Sequence, residues 1–321
     1  MGRYIVRRML INIPVLWLIV TLVFFATSVL PGDFVAQRIA ASNPLGGQNQ
    51  AEQIATVKKE LGINQPIGRR YVTYLWNTVH GDLGISYRTR QSAFGQFRDA
   101  LPYTLQLSII QLIIGLLISL PIGIISAVKQ DTMTDYVLRV FAILGVAAPS
   151  FWVATLLLLY TVRYHLFTID LLGQPLLWQH PAASFKLYII PGLAGGIASG
   201  AGVMRLLRSQ MLEVLRQDYI RTAWSKGLRQ RAIIVRHALK NAMIPVLTII
   251  GLTVASLISG NVVFEYLFGI PGIGGRILTA INARDVPVVQ AFVLIISAFV
   301  VVVNLAVDVL YGWLDPRIQY S

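Results

Sequence analysis

Cysteine is absent from the 321-residue sequence, and only 13% of the residues are charged. The absence of cysteine excludes disulfides, cysteine-based zinc sites and a cysteine nucleophile. A soluble globular chain is usually about a quarter charged, whereas 55% of these residues are hydrophobic. The composition therefore indicates a protein whose main solvent is the lipid bilayer.

The sequence also lacks the common motifs of nucleotide and metal chemistry. It contains neither a G-x-x-x-x-G-K-[ST] phosphate-binding loop nor an H-E-x-x-H zinc motif. Its basic residues cluster between apolar runs and do not form a stripe with interleaved aromatics, as a nucleic-acid surface would. We therefore predict no catalytic residues, no cofactor or metal in this chain, no nucleic-acid partner and no enzymatic activity.

Six apolar runs are each near the length that crosses about 30 Å of hydrocarbon as a helix. The first follows Arg3, Arg7 and Arg8, and it exceeds the roughly 7–15 apolar residues of a signal peptide. We therefore predict an uncleaved first span. The six runs are 9–30, 105–128, 137–162, 187–204, 242–264 and 288–310.

The distribution of basic residues predicts which loops face the cytoplasm. Nine Lys and Arg residues lie between the fourth and fifth runs, where the only acids are Glu213 and Asp218. Short cytoplasmic loops are rich in Lys and Arg, whereas long loops cross the membrane regardless of charge. This connection and both termini are therefore predicted to be cytoplasmic.

The long segment between the first two runs is predicted to be a small, partly helical extracytoplasmic lobe. Ile54, Val57 and Leu61 share one helical face, whereas SNPLGGQNQ at 42–50 is typical of a loop. The predicted divisions are 1–30, the cytoplasmic stub and first span; 31–102, the lobe; 103–311, the five-span core; and 312–321, the cytoplasmic tail.

Small residues recur at every fourth position in two of the runs. Gly192, Gly196 and Gly200 lie on one helix face, and the second run repeats the spacing from Gly115 to Gly123. Small residues let membrane helices approach closely. The spacing predicts tight helix packing. An interface between helices that moves during function is the alternative.

Prolines and polar residues interrupt the apolar runs. Pro149, among others, is expected to kink or end its helix. Three polar residues, Ser150, Ser259 and Asn261, are candidates for lining a substrate path, because polar groups inside a membrane commonly face a cavity. Hydrogen bonding between helices is the alternative interpretation.

The stretch DYIRTAWSKG, residues 218–227, is a basic, amphipathic island in this apolar chain. Asp218 is a favourable N-cap residue, and Ile220, Ala223 and Trp224 fall on one side. Gly227 can end the helix in a left-handed conformation. These residues predict a short helix along the membrane face, for which an anchor to anionic lipid headgroups is one role.

Residues 218–248, DYIRTAWSKGLRQRAIIVRHALKNAMIPVLT, resemble the cytoplasmic coupling loop of ABC importer permeases of the oligopeptide, dipeptide and nickel branch. Arg221-Thr222-Ala223 replaces the general Glu-Ala-Ala, and Pro245 lies farther from Gly227, as in the peptide branch. The resemblance is to the first-permease type of binding-protein-dependent transport system inner membrane components. Further matching segments, in order, are RRMLINIPVLWLIV…VLPGD, LGINQPIGRRYVTYLWNTVHGDLGISYRT, GVAAPSFW, VFEYLFGIPGIGGRILTAINARDVPVVQ and VDVLYGWLDPRIQY.

The resemblance implies an all-α, polytopic type I ABC importer permease with six transmembrane helices in a bacterial or archaeal inner membrane. A second homologous permease would complete the pathway. Two ATPase subunits would bind ATP and Mg, and an extracytoplasmic binding protein would deliver peptides. Membrane lipid would surround the spans.

The resemblance also implies that the island is a coupling helix within the loop 205–241, seated in a groove of an ATPase subunit. Asp218 and Gly227 would set its ends, and FGIPGIGG at 268–275 and the lobe are candidate contacts for the binding protein. Apolar contact would come from Tyr219, Ala223 and Trp224, and Arg221 and Lys226 would meet acidic groups or lipid. The complete predicted set is Asp218, Tyr219, Ile220, Arg221, Thr222, Ala223, Trp224, Lys226 and Gly227.

Three alternatives stay open at this point. The same machinery could import nickel or oligosaccharides, because cargo choice would rest chiefly with the binding protein. A self-sufficient carrier or channel would transport without any ATPase. A membrane enzyme would need a cluster of reactive residues, which the sequence does not offer.

Overall fold

The computed structural model describes residues 2–29, 54–56, 59, 64–166 and 175–314, and the side chains of 2–6, 8–9, 29, 258–260 and 307–314 fall outside the described part. The predicted loop at 42–50, Val57 and Leu61 also lie outside it. A short helical turn, Gln230–Ala232, and a π-helical segment, Ile233–Leu239, precede the helix α8. The helices are α1 Gly2–Val29, α2 Ile67–Val79, α3 Ala93–Val128, α4 Met133–Ala147, α5 Ser150–Arg163, α6 Pro181–Leu215, α7 Asp218–Ser225, α8 Lys240–Gly260, α9 Val262–Leu267, α10 Ile273–Asn282 and α11 Val286–Leu314.

The helical fold and its spans agree with the sequence prediction. Within the described residues, five helices are long and apolar enough to cross a membrane, and the α4–α5 pair counts as a sixth span if it is taken as one broken helix. The interruption predicted at Pro149 is confirmed, because α4 ends at Ala147, α5 begins at Ser150, and the two helices meet at an angle of 100°. Pro149 restricts the residue before it, and Ala148 accordingly takes an extended conformation with φ −75° and ψ 129°.

The chain divides into two compact units. The first comprises Met1–Ile5, Leu101–Gly275 and Val300–Ser321, and the second comprises Val6–Ala100 and Arg276–Phe299. The predicted boundary between lobe and core, at residue 102, falls inside α3, which continues without a break. The predicted four-part division of the chain stays a prediction.

Helix α6 is the central helix of the first unit, where α4, α5 and α8 all contact it. Its glycines meet α3 at very short range. A Cβ added at Gly200 would lie 2.7 Å from the carbonyl oxygen of Gly115, and one added at Gly196 would lie 2.8 Å from the carbonyl oxygen of Gln111. The close packing predicted from the glycine spacing is therefore confirmed.

In the second unit, α2 packs along α1 through aromatic side chains. The ring of Phe24 lies 5.3 Å from that of Tyr71 and 5.4 Å from that of Tyr74, measured between centroids. The hydroxyls of Thr21 and Tyr71 are hydrogen-bonded at 2.7 Å. Burial raises the pKa of Tyr74 to about 12, which fits a phenol packed against an apolar helix.

The start of α11 is fixed to the turn that precedes α3. The buried carboxylate of Asp285 accepts hydrogen bonds from the hydroxyl of Ser86 and from the backbone N–H of Tyr87. The rings of Phe97 and Phe292 meet edge to face at 5.3 Å. These contacts give the second unit a core of its own.

Candidate functional site

Helix α7 starts differently from the sequence prediction. Gln217 precedes the helix with φ −72° and ψ 149°, and Asp218 is the first helical residue. The carbonyl of Gln217 accepts hydrogen bonds from the N–H groups of Ile220 and Arg221, so the predicted N-cap role of Asp218 is wrong. The Asp218 side chain instead forms an exposed ion pair with Arg221 at 3.4 Å, and an acid in the first turn still suits the helix dipole.

The end of α7 matches the sequence prediction. Gly227 has φ +72°, a conformation that favours glycine. The N–H of Gly227 donates to the carbonyl of Trp224 at 2.9 Å, and the N–H of Leu228 donates to that of Ala223 at 3.4 Å. This pair of bonds is the Schellman motif, which ends a helix and satisfies its last carbonyls.

One face of α7 is buried in the chain's own core. Ile220 is fully buried and Ala223 nearly so, in a cluster with residues of α6, the π-helical segment and α8. Full burial of one isoleucine side chain contributes roughly 1.5–3 kcal/mol. Ala223 therefore faces this core and not the surface where the sequence placed it as a contact for another subunit. The partners in the cluster include Leu207, Met211, Ile233, Ala238, Ala242 and Val246.

The opposite side of α7 is exposed, and we call it the outer face of α7: Tyr219, Arg221, Thr222, Trp224 and Lys226. Tyr219 and Trp224 are 43% and 47% exposed, and both cations face solvent. The hydroxyl of Tyr219 accepts a hydrogen bond from Asn241 of α8 at 2.8 Å. Its two aromatic rings and two cations form a surface that can bind an acidic, partly apolar groove.

A π-helical segment, Ile233–Leu239, connects α7 to α8. It contacts α6, α7 and α8, and its residues Ile233 and Ala238 belong to the buried cluster under α7. π-Helical turns are rare and frequent at functional sites. The sequence offered no sign of this segment, because its apolar spacing also fits an ordinary α-helix.

A buried ion pair that sequence reasoning missed lies upstream of α7. Asp135, fully buried at the start of α4, accepts hydrogen bonds from Arg208 of α6 at 2.7 and 2.9 Å. Ser126 of α3 donates to the same carboxylate. The sequence counted Arg208 only as a basic loop residue. Thr132 caps α4, because its hydroxyl accepts a hydrogen bond from the N–H of Asp135. A threonine followed three residues later by an acid is a sequence signal for a helix start, and it could have identified Asp135.

A second buried acid shapes the loop FGIPGIGG. Glu265 accepts hydrogen bonds from the hydroxyl of Thr104 at 2.5 Å and from the N–H of Gly275 at 2.9 Å. The same hydroxyl accepts from the N–H of Ile273 at 2.8 Å. A side chain at Gly272 would collide with the carboxylate. The sequence identified this loop by its glycines but missed the carboxylate that holds it.

The three candidates for a substrate path have different surroundings. Asn261 is buried and donates to the hydroxyl of Ser108 at 2.9 Å, which in turn donates to the carbonyl of Leu257 at 3.1 Å. The amide of Asn261 is thus used to bond two helices of its own chain. Ser150 begins α5 at the 100° bend, and the side chain of Ser259 lies outside the described residues.

The described part of the chain holds no cluster of three or more His, Asp and Glu side chains that could bind a metal ion. Asp135 and Glu265, the two buried acids beside α4 and the FGIPGIGG loop, are each satisfied by protein hydrogen bonds. The outer face of α7 offers exposed aromatic and cationic side chains for contact with another surface.

Two companion family models together match most of the chain. Residues 119–320 match the family described as binding-protein-dependent transport system inner membrane component, and residues 1–108 match its N-terminal companion. The chain is 37% identical to the dipeptide transport system permease protein DppB of Alkalihalophilus pseudofirmus, over 99% of each chain. It is 34% identical, over 100% of each chain, both to DppB and to the glutathione transport system permease protein GsiC of Escherichia coli K12.

Proposed function

The chain belongs to the family of binding-protein-dependent transport system inner membrane components, and we propose that it is the permease of an ATP-driven peptide importer, driven through α7. As a member of this family it is a multi-pass inner-membrane transporter subunit of the dipeptide and oligopeptide branch, and not an enzyme. The single observation that carries the proposal is the outer face of α7, exposed on a helix whose other face is buried.

The proposed partner at the outer face of α7 is a cytosolic ATPase subunit with an acidic, partly apolar groove. Arg221 and Lys226 suit the acidic groups of such a groove, and Tyr219 and Trp224 suit its apolar floor. Aromatic residues and arginine dominate the binding energy of most protein interfaces. Ile220 and Ala223 anchor the helix from below, and Gly227 ends it, so that the exposed residues keep fixed positions.

The packing of α7 supports its role as a lever. The helix lies on a core shared with α6, the π-helical segment and α8, so a displacement of α7 acts on two candidate spans. ATP binding would draw two ATPase subunits together, and the docked helices would then move the spans between inward-open and outward-open states. Such switching between packed arrangements is a common form of domain movement. ATP and Mg would be bound by the ATPase subunits.

The remaining parts of the proposal follow from the family. A second homologous permease completes the pathway, and an extracytoplasmic binding protein delivers the cargo, with both termini of this chain in the cytoplasm. Peptides are the proposed cargo because the relatives carry the names of dipeptide and glutathione systems, and glutathione is itself a short peptide. Nickel and oligosaccharides are the alternative cargoes. Ser150, at the bend between α4 and α5, Ser259 and Asn261 stay predictions for the pathway.

The test of the proposal is a pair of tryptophan substitutions in the intact importer. Trp224→Ala removes an aromatic ring from the outer face of α7, and Trp178→Ala removes another exposed tryptophan far from it in sequence, 68% exposed against 47% for Trp224. Loss of one interface hot spot costs about 2 kcal/mol. We therefore expect Trp224→Ala to lower dipeptide uptake and binding-protein-stimulated ATP hydrolysis in proteoliposomes, and Trp178→Ala to leave both unchanged.

Two results would contradict the proposal. One is normal uptake and normal stimulated ATP hydrolysis in a Trp224→Ala/Arg221→Ala double variant that is present at wild-type level in the membrane. The other is dipeptide uptake by the purified chain alone, in liposomes without an ATPase, which is the behaviour of a self-sufficient carrier.

A further inference from the structure

Helix α2 has an apolar flank that nothing in the described chain covers. Val72, Trp76 and Val79 are 65%, 66% and 81% exposed. They recur at spacings of four and three residues, so they form one line along the helix. None of the 13 residues of α2 is fully buried. The helix thus rests on α1 by one edge and presents a second apolar edge outward.

The two edges of α2 adjoin, and the polar residues lie on the other side. With about 100° between successive residues, Tyr71 and Tyr74 point to α1, and Val72 and Trp76 follow next around the helix. Thr73, Asn77 and Arg70 lie beyond them and line a cleft of about 230 Å³ together with Asp82 and Tyr87. Helix α2 is therefore amphipathic across its whole circumference, with an apolar half and a polar half.

The contacts with α1 fix the depth of α2 relative to the membrane. The apolar window of α1 is Leu10–Ser28. Thr21, which bonds the hydroxyl of Tyr71, lies seven residues before its end, or about 10 Å along the helix axis. Phe24, which stacks on Tyr74, lies four residues before it, or about 6 Å. Two side chains of α2 therefore reach below the level at which the hydrocarbon of this span ends.

We propose that α2 lies beside α1 at the membrane boundary and inserts Val72, Trp76 and Val79 among the lipids of the leaflet in which α1 ends. Interfacial amphipathic helices bury their apolar face about 5–10 Å into the boundary between headgroups and acyl chains, the depth that Thr21 and Phe24 set here. Tryptophan favours this level of the membrane. Arg69, exposed at the border of the apolar flank, is placed to meet lipid phosphate. The proposal does not depend on the coupling role of α7.

The absence of native cysteine from this chain makes a direct test simple. Single cysteines replace Val72, Trp76, Val79 or Thr73 in an importer whose other subunits are cysteine-free. Each cysteine carries a nitroxide spin label, and the importer is reconstituted in lipid nanodiscs. Power-saturation EPR then compares the access of oxygen, which concentrates among acyl chains, with that of a water-soluble nickel chelate.

The expected result is an oxygen-to-nickel access ratio above one at 72, 76 and 79 and below one at 73. Val72 and Thr73 are neighbours, so they form a matched pair about 100° apart on the same helix. Val72→Cys and Val79→Cys leave Trp76 in place, so the test does not depend on replacing the tryptophan. Nickel access at 72 and 79 equal to that at 73 would show a water-facing lobe surface. Protection of both positions from both reagents would show a protein partner, and either result overturns the proposal.

Discussion

The contact between α3 and α6 leads to a quantitative prediction about one added methyl group. In Gly200→Ala the new Cβ would lie 2.7 Å from the carbonyl oxygen and 3.1 Å from the Cα of Gly115. Both neighbours are backbone atoms, so relief requires the two helices to separate. Overpacking of this kind typically costs about 1–3 kcal/mol.

A second glycine on the same helix provides the control. A Cβ added at Gly202 meets nothing within 4 Å. Replacing glycine by alanine inside a helix gains up to about 1 kcal/mol from backbone propensity, and this gain is common to both substitutions. The difference between the two variants therefore isolates the cost of the contact, which we expect to be about 1–3 kcal/mol.

The assay is unfolding of the purified chain in mixed micelles by SDS titration, followed by far-UV circular dichroism. Gly202→Ala is expected to unfold at the wild-type SDS fraction or above it, and Gly200→Ala at a lower one. Equal midpoints for the two variants would refute the inference that α3 and α6 touch through their backbones.

Three further substitutions have expected outcomes of different kinds. Gly227→Val forces a β-branched residue to φ +72°, at a cost of about 1–2 kcal/mol. This variant should insert into the membrane normally but uncouple ATP hydrolysis from peptide uptake. Arg208→Met leaves Asp135 buried and unpaired, so SDS-induced unfolding should show a loss of about 3–5 kcal/mol, which Asp135→Asn in the same chain should partly restore. Thr104→Val removes a hydroxyl that bonds both Glu265 and the N–H of Ile273, and the same assay should show a loss of about 1–3 kcal/mol.

The spans could be predicted from the sequence, because the length of an apolar run is encoded locally. The apolar runs give the spans, and the glycine spacing gives the close contact between α3 and α6. Gly227 could be identified as a helix end because a left-handed residue after a helix is a local requirement. Pro149 was identified as an interruption, but the 100° angle at the bend depends on how α4 and α5 each pack on α6.

The features that sequence reasoning missed are those that depend on distant partners. Asp135 and Arg208 are 73 residues apart, and Thr104 and Glu265 are 161 apart, so no local pattern joins them. The side of α7 that faces the core is a similar case. Ile220 and Ala223 were expected to share a surface with Trp224, but the cluster formed by α6 and the π-helical segment takes only the first two. The amphipathic pattern of the eight residues of α7 does not by itself determine which side of the helix is buried. The tertiary contacts determine it.

Site-specific photocross-linking shows whether a cytosolic ATPase binds the outer face of α7. A benzoylphenylalanine in place of Trp224 is irradiated in the intact importer in its native membrane, and the same residue in place of Trp178 serves as the control. We expect an adduct between position 224 and an ATPase subunit, and none with an ATPase from position 178. An adduct of position 224 with the extracytoplasmic binding protein, or irradiation that yields no adduct with any ATPase subunit, would contradict it.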